Sequence, residues 1–286
     1  MTGTDTDQPL TELLRLPAGA VDLAGLDPSG TPGFPGKKSD ASDATKALAP
    51  EMGDLQERLY ANGRVPNAPD RRILVILQGM DTSGKGGVIR HAIGMVDPQG
   101  ISIKSFKAPT EEELRHHFLW RIERAVPAPG MIGIFDRSQY EDVLVVRVHQ
   151  LVPESVWSKR YAEINAFEQR LVDEGTVLIK CFLHISADEQ KERLLARLDD
   201  PTKHWKYNPR DVDERAKWPE YQQAYTDALE QCSTQQAPWY VVPSDRKWYR
   251  NWAVAQLLVE QLRAMNLEWP VAEFDVEKEK ARVAES

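Results

Sequence analysis

Residues 73–87 read Ile73-Leu74-Val75-Ile76-Leu77-Gln78-Gly79-Met80-Asp81-Thr82-Ser83-Gly84-Lys85-Gly86-Gly87. Five consecutive apolar residues predict a strand buried on both faces, as in a parallel sheet. The segment Gly79 to Lys85 fits G-x-x-x-x-G-K between a strand and a helix, the context that this motif requires. The helix is signalled by Val88, Ile89, Ala92, Ile93 and Val96 on one side. Gly79, Gly84, Gly86 and Gly87, with Ser83 between them, let the backbone wrap close to phosphate oxygens so that amide N–H groups face an anion. Lys85 adds a full positive charge. Where the motif usually has the Ser or Thr that binds Mg²⁺, this chain has Gly86. Asp81 inside the loop is the natural replacement, because Mg²⁺ prefers carboxylate oxygens.

The same pattern continues outward. Apolar runs recur at Ile101 to Phe106, Met131 to Phe135, Thr176 to His184 and Trp239 to Val242. Helices are signed between them. Thr110-Glu111-Glu112-Glu113 forms a capping box ahead of Leu114, Phe118 and Ile122. Pro153 opens a helix with Trp157, Tyr161, Ile164, Phe167 and Leu171 inward. Ser186-Ala187-Asp188-Glu189 is a second box, and a last helix carries Trp248, Trp252, Ala255, Val259 and Leu262. Strand and helix in alternation predict right-handed βαβ units, hence a three-layer α/β domain with a parallel central sheet.

The run Met131 to Phe135 ends in Asp136, the pattern of a Walker B element. In a parallel sheet this end lies beside the phosphate loop, at the carboxyl edge where ligands bind. Asp136 is therefore a candidate for Mg²⁺ or its waters, and Arg137 offers a planar fork to phosphate. Glu141 and Asp142 follow at the strand edge, where an acceptor would arrive, and are candidates to bind the nucleotide through a metal-bound water or a ribose hydroxyl.

Composition narrows the class. Lys+Arg 36 against Asp+Glu 44 gives a net charge of −8, which argues against a nucleic-acid binder. Two cysteines without metal spacing read as reduced thiols of a cytoplasmic protein. No apolar leader is visible, and the run Ile73 to Leu77 is far too short to span a membrane. Gly and Pro crowd residues up to about 38, which reads as a flexible arm or one draped on the domain or a partner subunit. A helical pattern returns from Ser39 to about Ala61. The domain is expected over 39–270, with a tail after it.

The loop Gly79 to Gly87 together with Phe135-Asp136-Arg137-Ser138-Gln139-Tyr140-Glu141-Asp142-Val143 resembles the polyphosphate kinase 2 family. So do Ala108 to Leu114, His117-Phe118-Leu119-Trp120-Arg121 and Trp248-Tyr249-Arg250-Asn251-Trp252. The resemblance spans about residues 50 to 270. It implies a thymidylate-kinase-like P-loop fold and Mg²⁺ (with Mn²⁺ as a substitute) held by Asp81 and Asp136. Phosphate would be bound by Lys85 and Arg137, and exchanged between inorganic polyphosphate and AMP, ADP or ATP, with guanine nucleotides as further acceptors. A homodimer or homotetramer is implied as well. The segment Tyr140 to Val148 resembles the subgroup that phosphorylates both AMP and ADP.

Arg193 and Arg197, four apart on the capped helix, share one face. With Lys203, Lys206 and Arg210 they mark residues about 186–217 as a basic helical lid that would close on the transferring phosphoryl. Arg90, Lys104 and Lys107 would extend a track for a polyanion. Two rivals stand beside this reading: an ATP-dependent nucleoside monophosphate kinase of the same fold, and a nucleotide-binding switch. The chain lacks the Asn-Lys-x-Asp that reads guanine in such switches.

Overall fold

The computed structural model describes residues 8–286. All five apolar runs are strands: β1 (Arg72–Gln78), β2 (Ile101–Ser105), β3 (Ile132–Asp136), β4 (Thr176–His184) and β5 (Trp239–Pro243). Every pairing is parallel, in the order β2-β3-β1-β4-β5. The chain leaves β1 for one side of the sheet, and after β3 returns to the other side. The carboxyl end of β1 is thus the switch point where such sheets bind ligands. Leu77 pairs with Asp136, which sets the end of β3 beside the start of the phosphate loop.

Alternation along β1 builds both halves of the core. Ile73, Val75 and Leu77 pack with Val88, Ala92 and the apolar face of helix Lys247–Ala264. Leu74 and Ile76 face the opposite layer, with Tyr161, Ile164, Phe167 and Leu171 of helix Glu154–Asp173 and Ala224, Tyr225 and Leu229 of helix Trp218–Cys232. This is the three-layer α/β arrangement. β2 departs from the expectation of burial on both faces: it is an edge strand, and Ile103 is 54% exposed.

Two other expectations are corrected. The capping box at Thr110 forms in both directions, with Thr110 N donating to Glu113 and Glu113 N to Thr110 Oγ1. The helix beyond it does not. One 3₁₀ turn, Glu113–Arg115, ends where His116 adopts an extended backbone, and only Trp120–Glu123 resumes helix. Leu114 is left exposed at a cavity mouth.

The arm is packed rather than flexible over residues 9–34; residues 1–7 lie outside the described range. Leu10, Leu14, Leu16 and Leu23 are buried. Leu16 N donates to Trp239 O and Val241 N to Leu14 O, so the arm covers the free edge of β5. Phe34 packs edge-on against Trp248 and Trp252. The pattern expected from Ser39 to about Ala61 is two helices, Ala41–Ala47 and Ala49–Asn62, the second with Pro50 in its first turn. The tail carries a helix, Val276–Ala284, with no buried residue.

Candidate active site

The phosphate loop leaves β1 and turns into the short helix Lys85–His91. Gly84 sits at φ 109°, a conformation that glycine enters without strain. The N–H groups of Gly84, Lys85 and Gly86 make no hydrogen bond within the described residues. Thr82 Oγ1 and Ser83 Oγ are likewise buried without a partner. Unsatisfied donors this close together are what a phosphate oxyanion would complete. Lys85, 9% exposed, folds over the loop and donates through Nζ to Gly79 O at 2.8 Å. Burial, and next the Arg137 guanidinium, hold its ammonium below the usual lysine range. A Cβ on Gly86 would meet nothing within 4 Å, so packing does not exclude Ser or Thr there.

Three carboxylates lie near enough to stabilise the lysine's charge. Asp81, Asp136 and Glu141 all act on the Lys85 charge. Asp81 accepts from Arg137 Nη2 at 3.3 Å, and Glu141 lies 3.9 Å from Arg137 Nε. Asp136 accepts from Ser105 Oγ at 3.2 Å. Burial pushes the Glu141 carboxyl up, against the pull of Arg137 and Lys85. Arg137 itself has φ 64°, an uncommon conformation for a side chain of its size, kept where the surrounding structure forces it. The Gln139–Asp142 turn that carries Glu141 is anchored from below. Tyr140 OH and Gln139 Nε2 donate to Glu168, which is paired at 2.6 Å with the fully buried Lys180.

A cavity of about 470 Å³ opens from Gly79, Met80 and Asp81. Its lining mixes charged side chains, among them Arg137, Arg121 and Arg160, with the apolar Phe106, Pro109, Leu114, Val145, Leu151 and Val152. Asp142 is not a lone acid at the strand edge. It accepts from Arg160 at 3.0 Å and lies 3.9 Å from Arg121, and burial raises its carboxyl. Its role here is to hold two guanidinium groups on the cavity wall.

The segment after β4 makes half of the expected box: Ser186 Oγ accepts from Glu189 N ahead of helix Ala187–Asp199, but Ser186 N donates to Asp245 and the Glu189 carboxylate accepts from Arg193. Asn208, Arg210, Asp211 and Glu214 line the cavity. Its cations divide. Arg197 pairs with Asp211 at 3.3 Å, and Lys203 with Asp200 at 2.7 Å. Lys206 and Arg90 are exposed, as are Lys104 and Lys107, and Lys107 borders the cavity. Arg193 is corrected outright: it is 7% exposed and lies beneath the phosphate loop, not on a lid face. Beside it lies Arg250, 3% exposed, which donates to Ser83 O at 2.9 Å. In the sequence Arg250 stands within a family motif but has no assigned role. The signal was available, since Arg250 lies on the same buried stripe as Ala253, Val254 and Leu257.

A phosphate loop at a switch point, carboxylates beside its lysine, and a cavity walled by arginines define a P-loop phosphotransferase. The family model of polyphosphate kinase 2 matches residues 36–270, and the chain belongs to that family. It is 47% identical to the AMP/ADP-polyphosphate phosphotransferase of Meiothermus ruber, covering 92% of this chain and 96% of that one. It is 40% identical to the ADP-polyphosphate phosphotransferase of Rhodopseudomonas palustris, covering 87% and 88%. The crystal structure of polyphosphate kinase 2 from Arthrobacter aurescens superposes with a TM-score of 0.94 at 51% identity over 100% of both chains.

Proposed function

We propose that the chain transfers phosphoryl groups reversibly between inorganic polyphosphate and adenine nucleotides, carrying AMP to ADP and ADP to ATP. The observation that carries this is a cavity joined to the phosphate loop and lined by both arginines and apolar side chains. A polyanion fits the loop, and a nucleotide fits the cavity with its phosphate toward Arg137. An acceptor phosphate oxygen attacks the terminal phosphorus of the donor. The P–O bond to the chain breaks, and polyphosphate leaves one unit shorter as an oxyanion. Lys85 and Arg137 neutralise the charge shared by entering and leaving oxygens, and positioning carries the rest.

Mg²⁺ is the metal that this donor set suits, with Mn²⁺ as a substitute. No group of three or more His, Cys, Asp and Glu side chains among the described residues forms a metal cage. Mg²⁺ in such sites uses one or two carboxylates plus substrate phosphates and water. Asp81 and Asp136 would hold the ion, which when bound supplies charge neutralisation to the phosphate oxygens. Residues 186–217 would close over the cavity. The cytoplasm, and a homodimer or homotetramer, complete the proposal. No helix among the described residues is long and apolar enough to cross a membrane.

Guanine nucleotides belong to the acceptor range. The apolar side chains Phe106, Pro109, Leu114, Val145, Leu151 and Val152 of the lining offer surface contact to either base. Sites that discriminate bases strongly leave polar groups unpaired with the wrong one. The test is a matrix of AMP, ADP, GMP and GDP against polyphosphate or ATP as donor. Polyphosphate should serve as donor to both base types, with rates within about tenfold of each other. Turnover with ATP as donor and none with polyphosphate would support the nucleoside monophosphate kinase reading instead.

A further inference from the structure

We infer that Arg193 and Arg250 are positioning residues that clamp the phosphate loop from behind, fixing its amide groups toward the donor phosphates without touching them. The inference rests on the loop being the donor site.

The hydrogen bonds of Arg193 leave it nothing for a substrate. Nε donates to Glu189 at 2.7 Å, Nη1 to the carbonyls of Thr82 and Ser83 at 2.8 and 3.2 Å, and Nη2 to those of Ser244 and Asp245 at 2.6 and 2.9 Å. A guanidinium has five N–H donors, and all are used. Arg250 Nη1 reaches the same Ser83 carbonyl, while its Nε and Nη2 are held by Asn251. Gln190, one turn before Arg193, donates to Asp81 O at 3.0 Å. Three successive loop carbonyls, at residues 81, 82 and 83, are thus drawn toward the protein. A peptide's C=O and the next N–H point opposite ways, because the unit is planar and trans. Pinning Ser83 O therefore turns Gly84 N–H toward the anion side.

The glycines of the loop are fitted to this clamp. A Cβ on Gly84 would lie 1.8 Å from Arg250 Nη1, and one on Gly87 would lie 2.6 Å from Nη2. Both glycines admit the guanidinium as much as they admit phosphate. Two buried cations side by side repel: the Arg250 guanidinium is pushed down to about 9, by burial first and by Arg193 second. A polyanion on the other side of the loop would offset that repulsion. The turn that Arg193 grips is itself braced by the arm, since Asp245 N donates to Pro28 O, Arg246 Nε to Ser29 O and Tyr249 OH to Pro32 O.

The test compares Arg193→Lys, Arg250→Lys and Gly87→Ala with the parent. Lysine keeps the charge but lacks the planar five-donor fork that reaches the loop carbonyls and the Ser244–Asp245 turn together. Each variant should lose roughly 10- to 100-fold in kcat with polyphosphate, as expected for a small misplacement of the loop. The KM for AMP should stay within about twofold, because the acceptor cavity is untouched. Gly87→Ala displaces only the Arg250 fork, so it decides the matter if the arginine variants fail to fold. Full kcat with a lowered unfolding midpoint would make the pair purely structural and overturn the inference. So would a rise in the AMP KM as large as the fall in kcat. A parent without polyphosphate-dependent turnover would overturn the functional reading, and the clamp's catalytic role with it.

Discussion

Replacing Lys85 with Ala should cost roughly 10²- to 10⁵-fold in turnover, the range seen when a charge donor to a phosphoryl transition state is removed. At about 1.4 kcal/mol per decade, that is about 3 to 7 kcal/mol of transition-state stabilisation. Lys85 Nζ rests on Gly79 O, 2.8 Å away, beside Arg137 and three carboxylates. It is the one lysine that the loop itself carries to the phosphates. The fold should survive, because the lysine sits at the sheet edge and not in either apolar cluster. Circular dichroism and thermal unfolding check the fold, and initial rates with polyphosphate check the activity. Turnover within about threefold of the parent would remove Lys85 from the mechanism. Because burial lowers the lysine pKa, its charge is present below that lowered value and lost as pH rises through it. Activity should therefore fall on the alkaline side, and the Ala variant should lack that limb.

Asp81→Asn and Asp136→Asn should each remove most turnover, roughly 10²-fold or more, by weakening the hold on Mg²⁺. The two acids differ in surroundings. Asp81 is ion-paired with Arg137, whereas the Asp136 carboxylate accepts from the Ser105 hydroxyl and makes no ion pair among the described residues. Breaking the Arg137 pair alone could also slow Asp81→Asn, so the rate alone does not decide its role. The response to metal does. For a ligand, raising Mg²⁺ should partly restore activity, with the half-saturating concentration shifted upward. A Mg²⁺ dependence identical to the parent's in both variants would show that neither carboxylate serves the ion.

The strands were legible because the runs are short and alternate with capped amphipathic helices, which settles strand against buried helix. The Thr110 box was legible as a cap and misleading as a helix. Its two hydrogen bonds are local, but the path of the chain beyond them is decided by the cavity mouth, where His116 stacks on Trp120 instead of continuing the turn. Glycine and proline masked the arm's Leu10, Leu14 and Leu16, whose burial depends on the distant β5 edge. That Lys85, Asp81, Asp136 and Arg137 come together was legible because loop and strand end are fixed by local sequence. Arg193 was found but misplaced. Its spacing from Arg197 gives a shared side of the helix, yet Arg193 alone is close enough to reach the loop carbonyls. The acidic Glu168 and basic Lys180, which pair under Tyr140, gave no sign of each other across twelve residues.

The central claim is that one site carries AMP through ADP to ATP at the expense of polyphosphate. The most direct measurement is a time course with AMP and polyphosphate, no ATP added, with nucleotides separated at each point. ADP should accumulate first, and ATP should appear as ADP falls. ADP alone would leave a monophosphate-only enzyme, and silence toward AMP with rapid ATP from ADP would contradict the reading of Tyr140 to Val148.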